Sequence, residues 1–205
     1  YPGEEVKIKV QGKVIDVDNP YITINGFIID GDWGTEDIIR VGDNGNNLIL
    51  KKVEVMNTLR DCIDMASPEN VLVENSKIHD CINVQDGNRE DAHALVTYGV
   101  KNLIINNSEF YYVSGDTLQF QYDGWDNIIV ENTVLWNGKL PTSRGGAPAG
   151  VDPGENAVDT KYEIADGRGK LFLKNITAYG WKSDYISNAA AFNIKHNVEV
   201  VFDGV

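Results

Sequence analysis

The chain has 205 residues, and Lys+Arg 18 against Asp+Glu 31 gives a formal net charge of −13 at pH 7. That length makes one domain the expectation, the charge excludes unaided attraction to nucleic acid or to an anionic lipid surface, and no apolar run approaches the ~18–20 residues of a membrane-crossing helix. Apolar residues at 42% and aromatics at 9% exclude a disordered chain.

Twenty glycines, six prolines and many paired asparagines predict frequent turns and a mostly β chain. The two cysteines, Cys62 and Cys81, are too few for a disulfide framework and leave the redox compartment open. The chain starts at Tyr1 and ends on EVVFDGV, which reads as a strand in progress, so processing or truncation is expected at one or both ends.

Two interleaved sets of short segments repeat along the chain. The first is NLILKKVEV (47 to 55), NVLVENSKI (70 to 78), NLIINNSEF (102 to 110), NIIVENTVL (127 to 135) and KLFLKNITA (170 to 178). Just upstream of each lies a member of the second: DIIRVG (37 to 42), DCIDMA (61 to 66), HALVTY (93 to 98), DTLQFQ (116 to 121) and NAVDTK (156 to 161), with AAFNIK (190 to 195) after the last. The shortest spacings give a unit of about 23 residues, which holds two or three strands but no crossover helix, so parallel pairing requires a solenoid. Leucine-rich repeats share the period, but their leucine consensus is missing. With its repeating x-N-h-x-h-x-N pattern, the chain resembles the right-handed parallel β-helix of the pectate-lyase-like superfamily over nearly its whole length. That resemblance implies an all-β, single-stranded solenoid of about seven coils, residues 1–205 forming one domain cut from a longer solenoid. The superfamily spans lyases, hydrolases, epimerases, tailspikes, adhesins and non-catalytic glycan binders, so it specifies the fold better than the function.

Asn75, Asn107, Asn132 and Asn175 share one column with Lys52, and are expected to form an amide ladder at a buried turn. The sequons at Asn106 and Asn175 then fall in strands, which makes them poor glycosylation sites. In the second set, period two assigns Ile39, Ile63, Leu95, Leu118, Val158, Phe192 and Val41, Met65, Thr97, Phe120, Thr160, Ile194 to the core. The outward columns are then Arg40, Asp64, Val96, Gln119, Asp159, Asn193 and Gly42, Ala66, Tyr98, Gln121, Lys161, Lys195. Cys62 is also expected to face out. Three insertions, NVQDGNREDA (83 to 92), GKLPTSRGGAPAGVDPGE (138 to 155) and SDYISNA (183 to 189), each precede a strand of this set and are expected to wall a groove above it.

Lys161 and Lys195 stack in adjacent coils. Like-charge proximity favours loss of one proton, which would leave a general base. The resemblance implies a matching chemistry, since β-elimination lyases of this fold use Lys or Arg to remove the proton α to a uronate carboxylate while calcium or another cation neutralises it. Asp159 and Glu155 supply oxygens for a calcium ion; Asp64, three coils away at roughly 14 Å, cannot share it. Gln119, Gln121, Tyr98, Asn193, Trp181 and Tyr185 are the expected substrate contacts. Trp125, Trp136, Tyr111 and Tyr112 are placed at turns and insertions. The run Asp86, Asn88, Glu90, Asp91 is rich in oxygens but has Thr97 where an EF-hand needs Glu. Asp61, His93 and Asp116 share a corner column and read as a structural network. The aspartate motifs of hydrolases of this fold are missing, and two carboxyls roughly 5 to 10 Å apart are offered only by Glu155 and Asp159, so hydrolysis ranks below elimination.

The expectation is a secreted or cell-surface β-helix acting, lyase-like, on an extended acidic polysaccharide. A non-catalytic glycan-binding or filament-forming β-helix is the alternative, the latter associating end to end through unpaired coil edges.

Overall fold

The computed structural model describes residues 6–122, 124–163 and 167–205. The chain winds through three parallel seven-stranded sheets in strict rotation. The first sheet holds Val6–Lys9, Phe27–Gly34, Glu54–Thr58, Lys77–Cys81, Glu109–Val113, Val134–Trp136 and Thr177–Tyr179. The second holds Ile15–Val17, Ile39–Val41, Ile63–Met65, Leu95–Thr97, Leu118–Gln121, Asn156–Lys161 and Ala190–Asn193. The third holds Thr23–Asn25, Ile49–Lys51, Glu69–Glu74, Lys101–Asn106, Asp126–Glu131, Gly169–Lys174 and Val198–Asp203. Seven turns of this winding match the expected coil count.

Alternation along each strand sends every second side chain into the tube, where same-column residues from successive coils stack. Ile39, Ile63, Leu95, Leu118 and Val158 have no exposed surface, nor do Val41, Met65, Thr97, Phe120 and Thr160 beside them. Phe192 packs partly buried on the core, but Ile194, expected to share it, is 38% exposed because the strand ends at Asn193. Cys62 does not face out. It lies in the core and forms a disulfide with Cys81, 5.7 Å away between Cα atoms, joining the residue before the second-sheet strand Ile63–Met65 to the end of a first-sheet strand.

Between the third and first sheets the chain turns in two residues, such as Asn75-Ser76, Asn107-Ser108 and Asn132-Thr133. The first of each pair takes a positive φ, 52° at Asn75, 48° at Asn107 and 51° at Asn132, a region asparagine tolerates better than most residues. Its amide then joins neighbours: Asn107 donates to Asn75, Asn132 to Asn106 at 3.0 Å and Asn175 to Asn132 at 2.8 Å. This ladder is solvent-exposed rather than buried. The hydroxyls behind it carry the buried part: Ser76 Oγ accepts from the Val53 N–H and Ser108 Oγ from the Ser76 N–H. A second amide ladder, absent from the expectations, begins the third-sheet strands: Asn70 donates to Asn47, Asn102 to Asn70 and Asn127 to Asn102.

All three insertions lie at the corner from the first sheet to the second. The segment 83 to 92 is an antiparallel hairpin of Asn83–Gln85 with Asn88–Glu90, closed by Asp86 and Gly87 at φ 50° and 79°. The 138 to 155 segment packs Leu140 and Ala147 against Ile82 and Val84 in a second, smaller apolar cluster. A Cβ on Gly146 would overlap the Val84 carbonyl oxygen, so the close approach of this loop to the hairpin requires glycine.

The corner geometry separates two effects in one experiment. Asn132→Ala should lower stability by about 1–2 kcal/mol, combining a positive-φ penalty with lost ladder bonds. Asn132→Gly removes only the bonds and should cost about half as much, measured by urea denaturation. Equal losses would assign the whole effect to the hydrogen bonds.

Candidate functional site

A cleft of ≈ 530 Å³ lies over the second sheet, lined by Arg60, Asp61, Arg89, Glu90, Asp91, His93, Val96, Tyr98, Gln119, Gln121 and Lys161. Its floor is the outward columns of Leu95–Thr97, Leu118–Gln121 and Asn156–Lys161. Parallel pairing sets Gln119 beside Asp159 and Gln121 beside Lys161. The hairpin forms one wall and is held by Arg89, which bonds the Ser114 carbonyl, Asp91 at 2.7 Å and Glu155 at 2.9 Å. These walls bury side chains that face away from the tube: Gln119 is 3% exposed and Asp159 1%.

Asp159 is the electrostatic centre. Lys195 Nζ lies 2.9 Å from its Oδ1 and Lys161 Nζ 3.5 Å from its Oδ2. Neither contact has hydrogen-bond geometry, which leaves both buried carboxylate oxygens without a hydrogen-bond donor. A buried carboxylate needs cationic partners, and here two lysines from adjacent coils supply them. The carboxylate also offsets the repulsion between the two ammonium groups on which the general-base expectation relied.

Lys161 donates to Gln119 Oε1, which orients that amide so that its NH₂ points at His93 Nε2, 3.2 Å away. His93 Nδ1 rests against the Asp116 backbone, and the His93 backbone N–H donates to Asp61 Oδ1 at 2.7 Å. Asn156 completes the network by donating to Asp116 Oδ1 at 2.7 Å. A Cβ on Gly115 would sit 2.6 Å from His93 Nδ1, so the imidazole fits only over glycine. Burial, reinforced by the Asp159 and Glu155 charges against an opposing pull from His93, pushes Asp116 up to about 7. Burial and the Asp37 and Asp61 charges push Asp64 up to about 6. The Tyr98 hydroxyl is raised by burial and by Asp64 and Asp61, so it holds its proton.

The expected site residues separate into those the fold assembles and those it sends elsewhere. Lys161, Gln119, Gln121 and Tyr98 line the cleft, and Lys195 reaches Asp159 from the next coil without lining it. Asn193 pairs with Asp159 across the same coil boundary. Trp181 packs on the main core and Tyr185 on the smaller cluster, because the 183 to 189 segment folds back against the other insertions. Neither lines the cleft. Glu155 is bound to Arg89 and Asp159 to two lysines, so the carboxylates expected to take calcium already hold cations. Among the described residues no three His, Cys, Asp or Glu side chains converge on a point that could hold a metal ion.

Of the other aromatics, Trp125 does sit at a corner, between Gln121 and Asp126, whereas Tyr111, Tyr112 and Trp136 lie within strands rather than at turns. His79, Tyr111, Trp136 and Tyr179 stack along the outer face of the first sheet with centroids 4.4, 4.5 and 6.0 Å apart, and Trp125 is fully buried. Within the stack the rings cover one another's faces, and Tyr179 at its end is 53% exposed. Arg60, Arg89, Asp61 and His93 were not expected in the cleft. For Arg89 the available signal was Asp86-Gly87, a two-residue hairpin turn that aims the returning strand across the sheet.

A family model described as "Right handed beta helix region" matches residues 14–154. No curated protein matches by sequence. Among solved structures, a "Rhamnogalacturonan lyase" superposes with a TM-score of 0.69 at 12% identity, covering 87% of this chain and 49% of that one. "Pectate lyase Pel9A" gives 0.45 at 14% identity, covering 86% and 54%, and the "Agl-KA catalytic domain" 0.47 at 17%, covering 92% and 41%. The chain thus spans about half the length of the structures it matches.

A carboxyl group whose proton is held more tightly in the folded state stabilises the fold at low pH, and that stability is lost as pH rises through its folded value. Asp116, raised to about 7, contributes such a loss between pH ~4 and ~7. Asp116→Asn should therefore flatten the fall in melting temperature from pH 4.5 to 8, read by calorimetry; an unchanged slope would remove Asp116 as a source.

Proposed function

Because the chain belongs to the right-handed β-helix family, we propose that its cleft over the second sheet binds an extended acidic polysaccharide and cleaves it by β-elimination. The observation that carries this reading is that the Lys161 amine nitrogen lines the same cleft as the Arg60 guanidinium. Arg60 projects a guanidinium into the same cleft, with its side chain 56% exposed and a single long contact to Asp37, so its remaining donors are open to a uronate carboxylate. That pairing acidifies the adjacent C–H. Lys161, once it has lost its proton, takes that hydrogen; the electron pair forms the ring double bond as the β carbon–oxygen bond breaks. Tyr98, which keeps its proton at neutral pH, supplies it to the leaving oxygen.

In this reading the Arg60 guanidinium does the work expected of calcium, because Glu155 and Asp159 already pair with cations. Gln121 extends the polar floor along the glycan and Asn193 continues it into the next coil, whereas Tyr185 packs behind the walls and Trp181 on the main core. The disulfide fits an oxidising, extracellular setting, where such a substrate is found.

A second reading has support from two contacts of Lys161. Asp159 and Gln119 both hold Lys161 as an ammonium group, an arrangement suited to binding glycan carboxylates without cleaving. Incubation with pectate, alginate and chondroitin, with and without calcium, separates the two through the ultraviolet absorbance of the unsaturated product. Elimination predicts absorbance growth that Lys161→Ala lowers by about 10²–10⁴-fold and Lys195→Ala lowers less. No product on any of the three, with binding retained and weakened by Lys161→Ala, would establish the binding module.

A further inference from the structure

The outer face of the third sheet carries an uninterrupted apolar column. Parallel pairing puts Ile49, Leu72, Ile104, Ile129, Phe172 and Val201 in one row along the solenoid, with Ile104 38% and Val201 40% exposed and the others half-buried. Isolated exposed apolar residues are ordinary, but a contiguous row six strands long marks a contact surface.

The row beside it decides what fits. Two residues along each strand, the same pairing aligns Lys51, Glu74, Asn106, Glu131, Lys174 and Asp203. Within it charges of both signs alternate irregularly, and Lys174 hovers 5.7 Å from the Phe172 ring. Consider a second copy laid face to face, related by a two-fold axis parallel to the strands and passing between the Ile104 and Ile129 coils. Its solenoid then runs the opposite way, and each row faces its own reverse. Ile104 meets Ile129, Leu72 meets Phe172 and Ile49 meets Val201. In the charged row Lys51 meets Asp203 and Glu74 meets Lys174. Moving the axis by half a coil, so that Thr23 joins the apolar row, would set Lys51 against Lys174 and Glu74 against Glu131. Apolar overlap and charge pairing therefore select the same register, and the neighbouring one is penalised.

We propose that the third sheet is a self-association surface on which two copies of this chain pack antiparallel and face to face, about 10 Å apart as stacked sheets pack. Six strands at ~4.8 Å by about 20 Å of strand length cover roughly 600 Å² per copy, near the lower end of specific interfaces. A reversible dimer with a micromolar dissociation constant is the expected strength for a patch of that size. The contact is isologous, so association stops at two.

Sedimentation of the full chain over a concentration series tests this directly. A concentration-dependent dimer is expected, and Ile104→Glu should weaken it by at least tenfold while leaving the circular dichroism spectrum and melting temperature of the monomer intact. Lys51→Glu should weaken it too, and adding Asp203→Lys should restore it, a rescue that follows only if those two residues meet across the interface. A chain that stays monomeric throughout, a dimer indifferent to Ile104→Glu, or oligomers that grow beyond two through the coil ends would each overturn the proposal.

Discussion

Every feature of this molecule follows from strands stacking in register at the ~4.8 Å sheet spacing. A residue's neighbours are its column mates one coil before and after, so chemistry is laid down by columns. Stacking rewards like with like when the side chains are apolar or amide, as in Ile39, Ile63, Leu95, Leu118 and in the two asparagine ladders. It penalises like with like when they are charged. Lys161 and Lys195 escape that penalty because Asp159 lies two residues from one and reaches the other across the coil boundary.

The corners then determine which face can do chemistry. Two-residue turns between the third and first sheets add no chain at that corner, whereas the corner into the second sheet admits three insertions, the long one also reaching Tyr112 of the first sheet. Those insertions find one another through Ile82, Val84, Leu140 and Ala147 and shield the sheet beside them. The consequence is unusual for an outward column: Gln119 and Asp159 point away from the core yet are almost wholly buried. Desolvation there strengthens each ionic contact and raises the cost of an unpaired group, which is why three carboxylates, two ammonium groups, an imidazole and two amides occur as one connected network.

Period two and the repeat made the fold legible before any coordinates: the coil count and all of the core columns but Ile194 follow from register, and Lys161 and Lys195 meet on one carboxylate, Asp159. What register does not encode stayed hidden. Cys62 and Cys81 belong to different sheets and meet across a corner, so no column relates them. Arg89 reaches the cleft only because its insertion doubles back as a hairpin, and Trp181 and Tyr185 leave it because theirs folds against the other two. The exposed position of the asparagine ladder was missed for a related reason: a column fixes which residues meet but not whether the turn that carries them is covered.

The same logic distributes roles among three faces of one tube. The first sheet's outer face is occupied by its own aromatic stack, with Tyr112 edge-on to Tyr111 and Trp136 and Arg144 of the long insertion 5.2 Å over Tyr112. The second carries the walled, charged cleft. The third keeps an open apolar row between amides and mixed charges. Pairing through the third face, as proposed, would leave the cleft unobstructed, so the proposed glycan binding and self-association need not compete. A dimer built this way would also double the net charge to twice −13, deepening the long-range field that repels a polyanion. On the proposed reading, attraction of an acidic glycan would then come from Lys161 and Arg60 at contact distance, where salt screens a charge pair least.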